Sequence, residues 1–449
     1  MIKFKLKQSE SILLTSQSGL VFIGAALEHF VDIDRIDEKF ASAGIATSDI
    51  IRSYVGLLAA GKSDFEAIEN VREDEFFKRA LGVKQVASSA TLRQRLDEMG
   101  ESARLVVDEW SVALLKAGEA PVSALGSGHV AVDIDVFPMD NRDTRKQGVG
   151  RTYAGYDGYA PIAAYLGEEG WCLGLELRPG TQHSAKDTPG FVTRCLKRAR
   201  GLSALPLLLR MDSGFDGAEI LLAAAQEAID GLQAGGAPID VLIKANPRKF
   251  GVQGAHQGRC EDPNTVWRSP REGKRVTLWE DTAVRRFGKD DTSLRRIYRL
   301  AERSIVKGQP VLLAGVRIDV WETSLALPVE QVIELYCQHA THEQFHSEIK
   351  TDLDLERLPS GKFATNGLVL SLGALTYNIL RLMGQQALLG PDAPVRHRAK
   401  RRRLKTVMQE LIYRAAKCTR QAGRWVLDFG RAYTAFVVFE RMYRVWSSG

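Results

Sequence analysis

The sequence contains few cysteines, and they follow no pairing pattern. Only five occur among 449 residues, and none belongs to a C-x-x-C pair. Secreted disulfide scaffolds and zinc modules depend on regularly spaced cysteines, so scattered ones are typical of reduced thiols. The pattern excludes a disulfide framework, and we expect a cytoplasmic protein.

Long apolar runs are also absent. No stretch approaches the roughly 18 to 20 apolar residues needed to cross a bilayer. The first residues, MIKFKLKQSESILLTSQSGL, lack a long apolar core followed by a cleavage site. We therefore expect neither export nor a membrane anchor. With 45% hydrophobic and 26% charged residues, the chain has an ordinary globular composition. Its length suggests two to four structural units.

Acidic residues are scarce in the last part of the chain. From residue 396 to 449 there are 14 Lys or Arg residues against three acids, a net charge of +11, whereas the whole chain carries +6 and the remainder therefore −5. A basic segment on a mildly acidic body indicates contact with a polyanion, most often nucleic acid. Lys400, Arg401, Arg402 and Arg403 form its densest run, which is suited to DNA phosphates.

The periodicity of apolar residues divides the chain into segments of different character. Alternating strands separated by two helices predict an α/β unit with a mixed sheet. The predicted segments are a helical unit that is a candidate for DNA binding (1–118), the first part of a catalytic α/β domain (119–250), a β-rich insertion forming a separate β unit (251–328), a second catalytic part bearing a helix (329–390), and a basic helical tail (391–449).

Three aspartates lie on apolar strands of the α/β unit. Asp133 and Asp135 alternate with Val and Ile in the segment HVAVDIDVF, so both point to one face of a central strand. Asp212 ends the strand LPLLLRMD and precedes Ser-Gly. A carboxylate at the end of a strand beside a turn is well placed to bind a ligand at the rim of a sheet, although a turn-forming role is the simpler explanation for Asp212 alone.

A fourth group of polar residues follows the insertion. In YCQHATHEQFHSEIK, residues Tyr336, His339, Glu343 and Lys350 are spaced to share one face of a continuous helix. Such a face would combine a carboxylate for a metal ion with phenol and ammonium groups for phosphate.

These motifs resemble the insertion-sequence DDE transposases. The pattern Y-x2-H-x3-E-x6-K is similar to their Y-x2-R-x3-E-x6-K signature, with His339 at the usual arginine. Blocks spread over residues 129–385 resemble the group called insertion sequence thirteen-eighty: DVFPMDN (135–141), GVGRTYAGYDGYAPI (148–162), LRPGTQH (177–183), RMDSG (210–214) and LERLPS (355–360).

The resemblance implies an RNase H-like fold interrupted by a β insertion. It implies Asp135, Asp212 and Glu343 as catalytic metal ligands, with Asp133 as an alternative to Asp135. Two Mg²⁺ or Mn²⁺ ions would assist phosphodiester cleavage and strand transfer. The partners would be double-stranded DNA, as inverted repeats and target, and a second copy of the chain. Expected DNA contacts are Tyr336, His339, Lys350, Arg151, Tyr153 and the run Lys400, Arg401, Arg402 and Arg403.

Two other functions compete with this interpretation. His342-Glu343-Gln344-Phe345-His346 matches the H-E-x-x-H motif of zinc peptidases, but the sequence offers no clear third zinc ligand, and a peptidase leaves Asp135 and Asp212 unexplained. A non-catalytic DNA-binding protein would explain the basic charge but not the aspartates on apolar strands.

Overall fold

The computed structural model describes residues 9, 12–287, 290–306, 309–395 and 397–447. The helices are α1 (Leu20–His29), α2 (Ile36–Lys39), α3 (Thr47–Ala59), α4 (Glu75–Leu81), α5 (Ser89–Ala117), α6 (Thr188–Leu202), α7 (Ala218–Gln233), α8 (Val252–Glu261), α9 (Val329–Gln338), α10 (His342–Ser347), α11 (Phe363–Ala387), α12 (Leu404–Val407) and α13 (Phe436–Ser447).

Strands form one large sheet and two small ones. They are β1 (Leu13–Thr15), β2 (Val130–Val136), β3 (Met139–Asp140), β4 (Gly150–Arg151), β5 (Asp157–Tyr159), β6 (Ile162–Leu166), β7 (Trp171–Glu176), β8 (Leu207–Met211), β9 (Ile239–Lys244), β10 (Arg268–Arg271), β11 (Lys274–Phe287), β12 (Asp290–Val306), β13 (Gln309–Thr323), β14 (Ala416–Gln421) and β15 (Arg424–Asp428).

The central part of the large sheet has the RNase H-like order β7-β6-β2-β8-β9. Strand β2 is antiparallel to β6 and parallel to β8, and β8 is parallel to β9. Parallel neighbours need crossover connections, which α6 and α7 provide. The residues of β2 and β8 are buried on both faces, except for the half-buried Asp135, as central strands require. The fold class predicted from the sequence is confirmed.

The insertion does not form a separate sheet, which corrects the expectation of an independent β unit. Strands β10, β11, β12 and β13 extend the central sheet to nine strands. The junction is short, because only three residues of β13 pair with β9, including Trp321 opposite Lys244. The free edge of β9 could accept another strand, and local sequence periodicity does not reveal such a long-range pairing.

Helix α11 is the central helix of the core. Among the described residues it is the one helix long and apolar enough to cross a membrane, yet every residue of its most apolar window is buried inside the protein. It packs against α5, α3 and β7. Its Asn378 donates to the Ser111 hydroxyl and to the carbonyl of Cys172, and it accepts the Cys172 N–H. Helix α11 is therefore a core helix that connects the N-terminal unit to the sheet.

The basic tail packs against the N-terminal unit. It is helical at α12, in the following turn and at α13, but it also contains the hairpin β14–β15, which the sequence did not predict. Strand β14 pairs with β1. On the other side, Phe439 of α13 contacts Phe22 of α1, with their ring centroids 4.4 Å apart. The first and last described segments thus form one packed unit.

Candidate active site

Two of the predicted acids lie side by side at the ends of parallel strands. Strands β2 and β8 pair with Ile134 opposite Met211, which brings the next residues, Asp135 and Asp212, to the same edge. Asp212 accepts the N–H of Gly214 at 2.8 Å as the chain turns. Burial and the nearby charge of Asp135 both raise the pKa of Asp212, against the effect of that hydrogen bond. A cation between the two carboxylates would relieve this repulsion.

Asp133 has a different environment although it shares the strand face of Asp135. It is 3% exposed and accepts two hydrogen bonds from Arg210, at 2.7 and 2.8 Å. The His339 ring lies 2.9 Å away on the same carboxylate. Burial opposes ionisation of Asp133, but the guanidinium and the imidazole hold its pKa well below the usual range. Asp133 is thus fully engaged inside the protein.

The segment bearing Glu343 is helical throughout but is not a regular α-helix, which modifies the predicted single polar face. Helix α9 ends at Gln338, a 3-10 turn spans His339–Thr341, α10 follows, and a π turn covers Glu348–Asp352. These changes in helical winding alter the angles between side chains. His339 is buried against Asp133 and cannot contact DNA, whereas Lys350 donates to the Pro138 carbonyl and pairs with Glu356, both at 3.0 Å.

Two histidines that the sequence interpretation set aside lie at Asp135. The His342 Nε2 atom is 2.6 Å from the Asp135 Oδ2 atom. Burial opposes ionisation of Asp135, but this contact lowers its pKa. Asp135, His342 and His346 each offer one ligand atom, and these three atoms lie within 4.8 Å of one another. The H-E-x-x-H spacing was the only sequence signal for this cluster, because its third member comes from a distant strand.

The third predicted acid, Glu343, is exposed on α10. Within the described part of the chain it has no hydrogen-bond or ion-pair partner. It lies outside the cluster of Asp135 with the two histidines, and the three predicted acids do not form a group with all ligand oxygens within 4.8 Å. Glu343 lines a cleft of about 530 Å³, together with Thr341, Gln344, Ser347, Glu348, Ala399, Lys400, Arg401 and Arg403.

The hydroxyl of Tyr153 lies beside Asp135, and the charges of the predicted acids raise its pKa. Its ring is exposed, and its hydroxyl donates to the Val136 carbonyl at 3.1 Å, next to Asp135. Burial raises the pKa of Tyr153, and the charges of Asp135, Asp212 and Glu343 raise it further. The hydrogen bond to Val136 places the Tyr153 hydroxyl beside Asp135, at the end of strand β2. Tyr336 also lies near this region, since Asp212 and Asp135 help burial to raise its pKa.

The four basic residues of the tail, Lys400, Arg401, Arg402 and Arg403, differ in how accessible they are to DNA. Lys400 is exposed and pairs with Glu168, and Arg401 donates to Gln344 at 2.6 Å. Arg403 holds the buried carboxylate of Asp352 at 2.9 Å. Arg402 is buried, and it donates to the backbone carbonyls of residues 388 and 395. The predicted DNA contact of Arg402 is therefore corrected to a structural role; Arg396 lies outside the described residues.

Comparison with known families identifies the class of protein. The family model described as "Transposase DDE domain" matches residues 126–379, and the model described as "Transposase DDE domain group 1" matches residues 13–233. Because the first match covers more than half of the chain, the protein belongs to the DDE transposase domain family.

A solved structure of another transposase is also similar. The piggyBac transposase, in a cryo-EM structure of its synaptic complex with hairpin DNA, aligns with a TM-score of 0.41 and 10% sequence identity. The alignment covers 88% of this chain and 78% of that chain. No curated protein sequence matches the chain.

Proposed function

We propose that this DDE transposase binds the terminal inverted repeats of its own element, cleaves the DNA there and transfers the 3′ ends to target DNA. The observation that carries the proposal is the placement of Asp135 and Asp212 side by side at the ends of the paired strands β2 and β8, within the region that the DDE transposase model matches. In this proposal the three carboxylates hold divalent cations. When bound, such cations activate an attacking oxygen and relieve charge on the leaving oxygen of a phosphodiester.

The donor set fits hard divalent cations. Carboxylate oxygens are the ligands that Mg²⁺ and Mn²⁺ prefer. Asp212 and Glu343 have no cationic partner in the described residues, so their charge is available to an ion. The family match and this unneutralised charge outweigh the zinc-peptidase alternative, which assigns no role to Asp212. A non-catalytic DNA-binding protein would not need these carboxylates.

Residues around the acids supply the contacts to DNA. Arg151 ends strand β4, and Tyr153 follows it with its hydroxyl beside Asp135; both side chains are exposed. There an aromatic ring can stack on an unpaired base and a guanidinium can bind phosphate. Lys400 and Arg401 line the cleft next to Glu343. Pairing of two element ends requires two active sites, so we propose a homodimer on DNA.

Cleavage of labelled DNA that carries the flanking inverted repeats tests the proposal. With Mg²⁺ or Mn²⁺ the protein should nick the repeat ends. Asp212→Asn and Glu343→Gln should each slow cleavage by about 10³-fold or more, because several kcal/mol of transition-state stabilisation are lost. Glu334→Gln is the matched control, since Glu334 is an exposed acid on the preceding helix α9. Metal-independent cleavage, or equal rates for Glu343→Gln and the control, would contradict the proposal.

The salt dependence of DNA binding should identify the basic contacts. The double variant Lys400→Ala/Arg401→Ala should reduce the slope of log affinity against log salt by up to about 1.8, or roughly 0.9 for each lost phosphate contact. Arg403 is kept because it neutralises the buried Asp352.

A control for this titration removes the same charge elsewhere in the tail. Arg420→Ala/Arg424→Ala changes two exposed residues of the hairpin β14–β15 and should leave the slope unchanged. If both double variants reduce the slope equally, the tail binds DNA diffusely and the assignment to the cleft is wrong.

A further inference from the structure

The cluster of Asp135, His342 and His346 contains two histidines to which the proposed carboxylate chemistry gives no role. It offers one oxygen and two imidazole nitrogens, all within 4.8 Å of one another. Both histidines are at least nine-tenths buried, so neither is a solvated surface residue. They are four residues apart on the α10 segment and therefore share one face. That face is turned toward the end of strand β2.

His346 has a nitrogen without a partner. Its ring is stacked on Phe137, with centroids 4.2 Å apart and an interplanar angle of 22°, and it lies 5.5 Å from the ring of Tyr165. In the described part of the chain, the buried Nε2 atom of His346 has no hydrogen-bond partner. Burying a polar nitrogen without a partner costs free energy, about 1–3 kcal/mol in proteins. An external ligand for this nitrogen would offset that cost.

The second histidine is held in the orientation of a metal ligand. The Nδ1 atom of His342 is hydrogen-bonded to the backbone carbonyl of His339. The Nε2 atom lies 2.6 Å from Asp135, and a bound metal ion would take the place of the proton that these two groups share. A hydrogen bond from one ring nitrogen to a carbonyl fixes the tautomer and aims the other nitrogen, as is usual for histidines that bind metals. Arg210 is paired with Asp133 and is not a member of this cluster.

We propose that Asp135, His342 and His346 bind Zn²⁺, and more weakly Mn²⁺, in preference to Mg²⁺. The inference rests on the proposed function, because it gives nitrogen ligands to one cation of the transposase centre. Imidazole suits zinc and other transition metals, whereas Mg²⁺ demands oxygen. Three protein ligands with open positions are typical of a catalytic rather than a structural ion. The H-E-x-x-H spacing thus serves this centre, with Asp135 as the third ligand.

A second cluster shows what an occupied site looks like. His256, Cys260 and Glu302 also bring their ligand atoms within 4.8 Å. There, however, Arg275 already donates to Glu302 at 2.7 Å and to the Cys260 sulfur at 3.5 Å. A guanidinium takes the place of a cation, so this cluster carries no metal in our proposal.

Electron paramagnetic resonance of bound Mn²⁺ tests the proposal directly. The full chain carrying Cys260→Ser, which removes the second cluster, is loaded with Mn²⁺ alone. We expect ¹⁴N couplings from two imidazoles, reduced to one in His346→Gln. Calorimetry with Zn²⁺ should show an affinity loss of tenfold or more in the same variant. His29→Ala, an exposed histidine on α1, should change neither measurement.

The outcomes separate the two proposals. If the Cys260→Ser protein, with His342 and His346 intact, shows no ¹⁴N coupling, the proposed nitrogen ligation is wrong. This outcome does not depend on whether a histidine variant folds. Equal Zn²⁺ affinity for folded His346→Gln and His29→Ala overturns it as well. Two ¹⁴N couplings in a protein that never cleaves repeat DNA would retain the metal site and reject the transposase activity. Mg²⁺-dependent cleavage without ¹⁴N coupling would support the transposase activity and reject the nitrogen ligation.

Discussion

Asp135→Asn is expected to yield a folded protein whose DNA cleavage is at least about 10³-fold slower, because a metal-binding carboxylate is lost. Asp133→Asn, two residues away, is expected to destabilise the fold by about 3–5 kcal/mol, because it leaves Arg210 buried without its counter-charge. The two aspartates share one strand face, yet one change should affect chemistry and the other stability. Urea unfolding and the cleavage assay measure the two effects.

Asp133→Asn and Asp135→Asn serve as controls for each other, because both replace a carboxylate with an isosteric amide. Asp135→Asn should lower the free energy of unfolding less than Asp133→Asn does, because the His342 imidazole beside Asp135 can lose its proton whereas the Arg210 guanidinium cannot. The low folded-state pKa of Asp133 stabilises the protein above the unfolded value of about 3.9, and this stabilisation is lost as the pH falls toward the folded-state value. Asp133→Asn should therefore flatten the stability profile below about pH 4. A stable, inactive Asp133→Asn protein would show that the assignments are reversed.

Glu348→Ala is expected to destabilise the protein by about 3–5 kcal/mol and to release the basic tail. Glu348 and Arg381 form an ion pair in which both side chains are at most 3% exposed. Glu348 also accepts the backbone N–H of Leu404 at 3.1 Å, and Arg381 donates to the carbonyl of Arg402 at 2.6 Å. Removing the carboxylate leaves a buried guanidinium and cuts a contact between the core and the tail.

Limited proteolysis combined with chemical unfolding measures this effect. Cleavage within residues 397–415 should become much faster in Glu348→Ala. Glu343→Ala, five residues earlier and exposed, should keep the protease resistance of the unmutated protein and lose only DNA cleavage. If Glu348→Ala unfolds at the same urea concentration as Glu343→Ala, the buried pair does not hold the tail.

Most of the catalytic fold could be predicted because its elements have strong local signals. The apolar runs of β2 and β8 predicted central strands, and the turn after Met211 placed Asp212 at a strand end. Ser88 caps α5 by accepting the N–H of Thr91, a local arrangement that serine before a helix favours. The hairpin β14–β15 was missed because its turn uses Ala422 and Gly423, both with positive φ, instead of the more common Asn-Gly.

The candidate site was harder to predict, because its details depend on contacts between distant segments. The sequence placed Asp133 and Asp135 on one face but could not show that Arg210 and His339 occupy only the first. It treated residues 336–350 as one regular α-helix, whereas a 3-10 turn at His339–Thr341 and a π turn at Glu348–Asp352 change its winding. The missing third ligand of the H-E-x-x-H motif lies about 200 residues earlier in the chain.

The pairing of β1 with β14 has a consequence for biosynthesis. Leu13 lies opposite Cys418, so about 400 residues must emerge from the ribosome before this pair can form. At roughly 5–20 residues per second, the first strand waits on the order of 20 to 80 s for its partner. Contacts so distant in sequence also form slowly. The earliest-made segment is therefore among the last to be completed, and a transcript interrupted before β14 would yield a chain with an unclosed N-terminal unit.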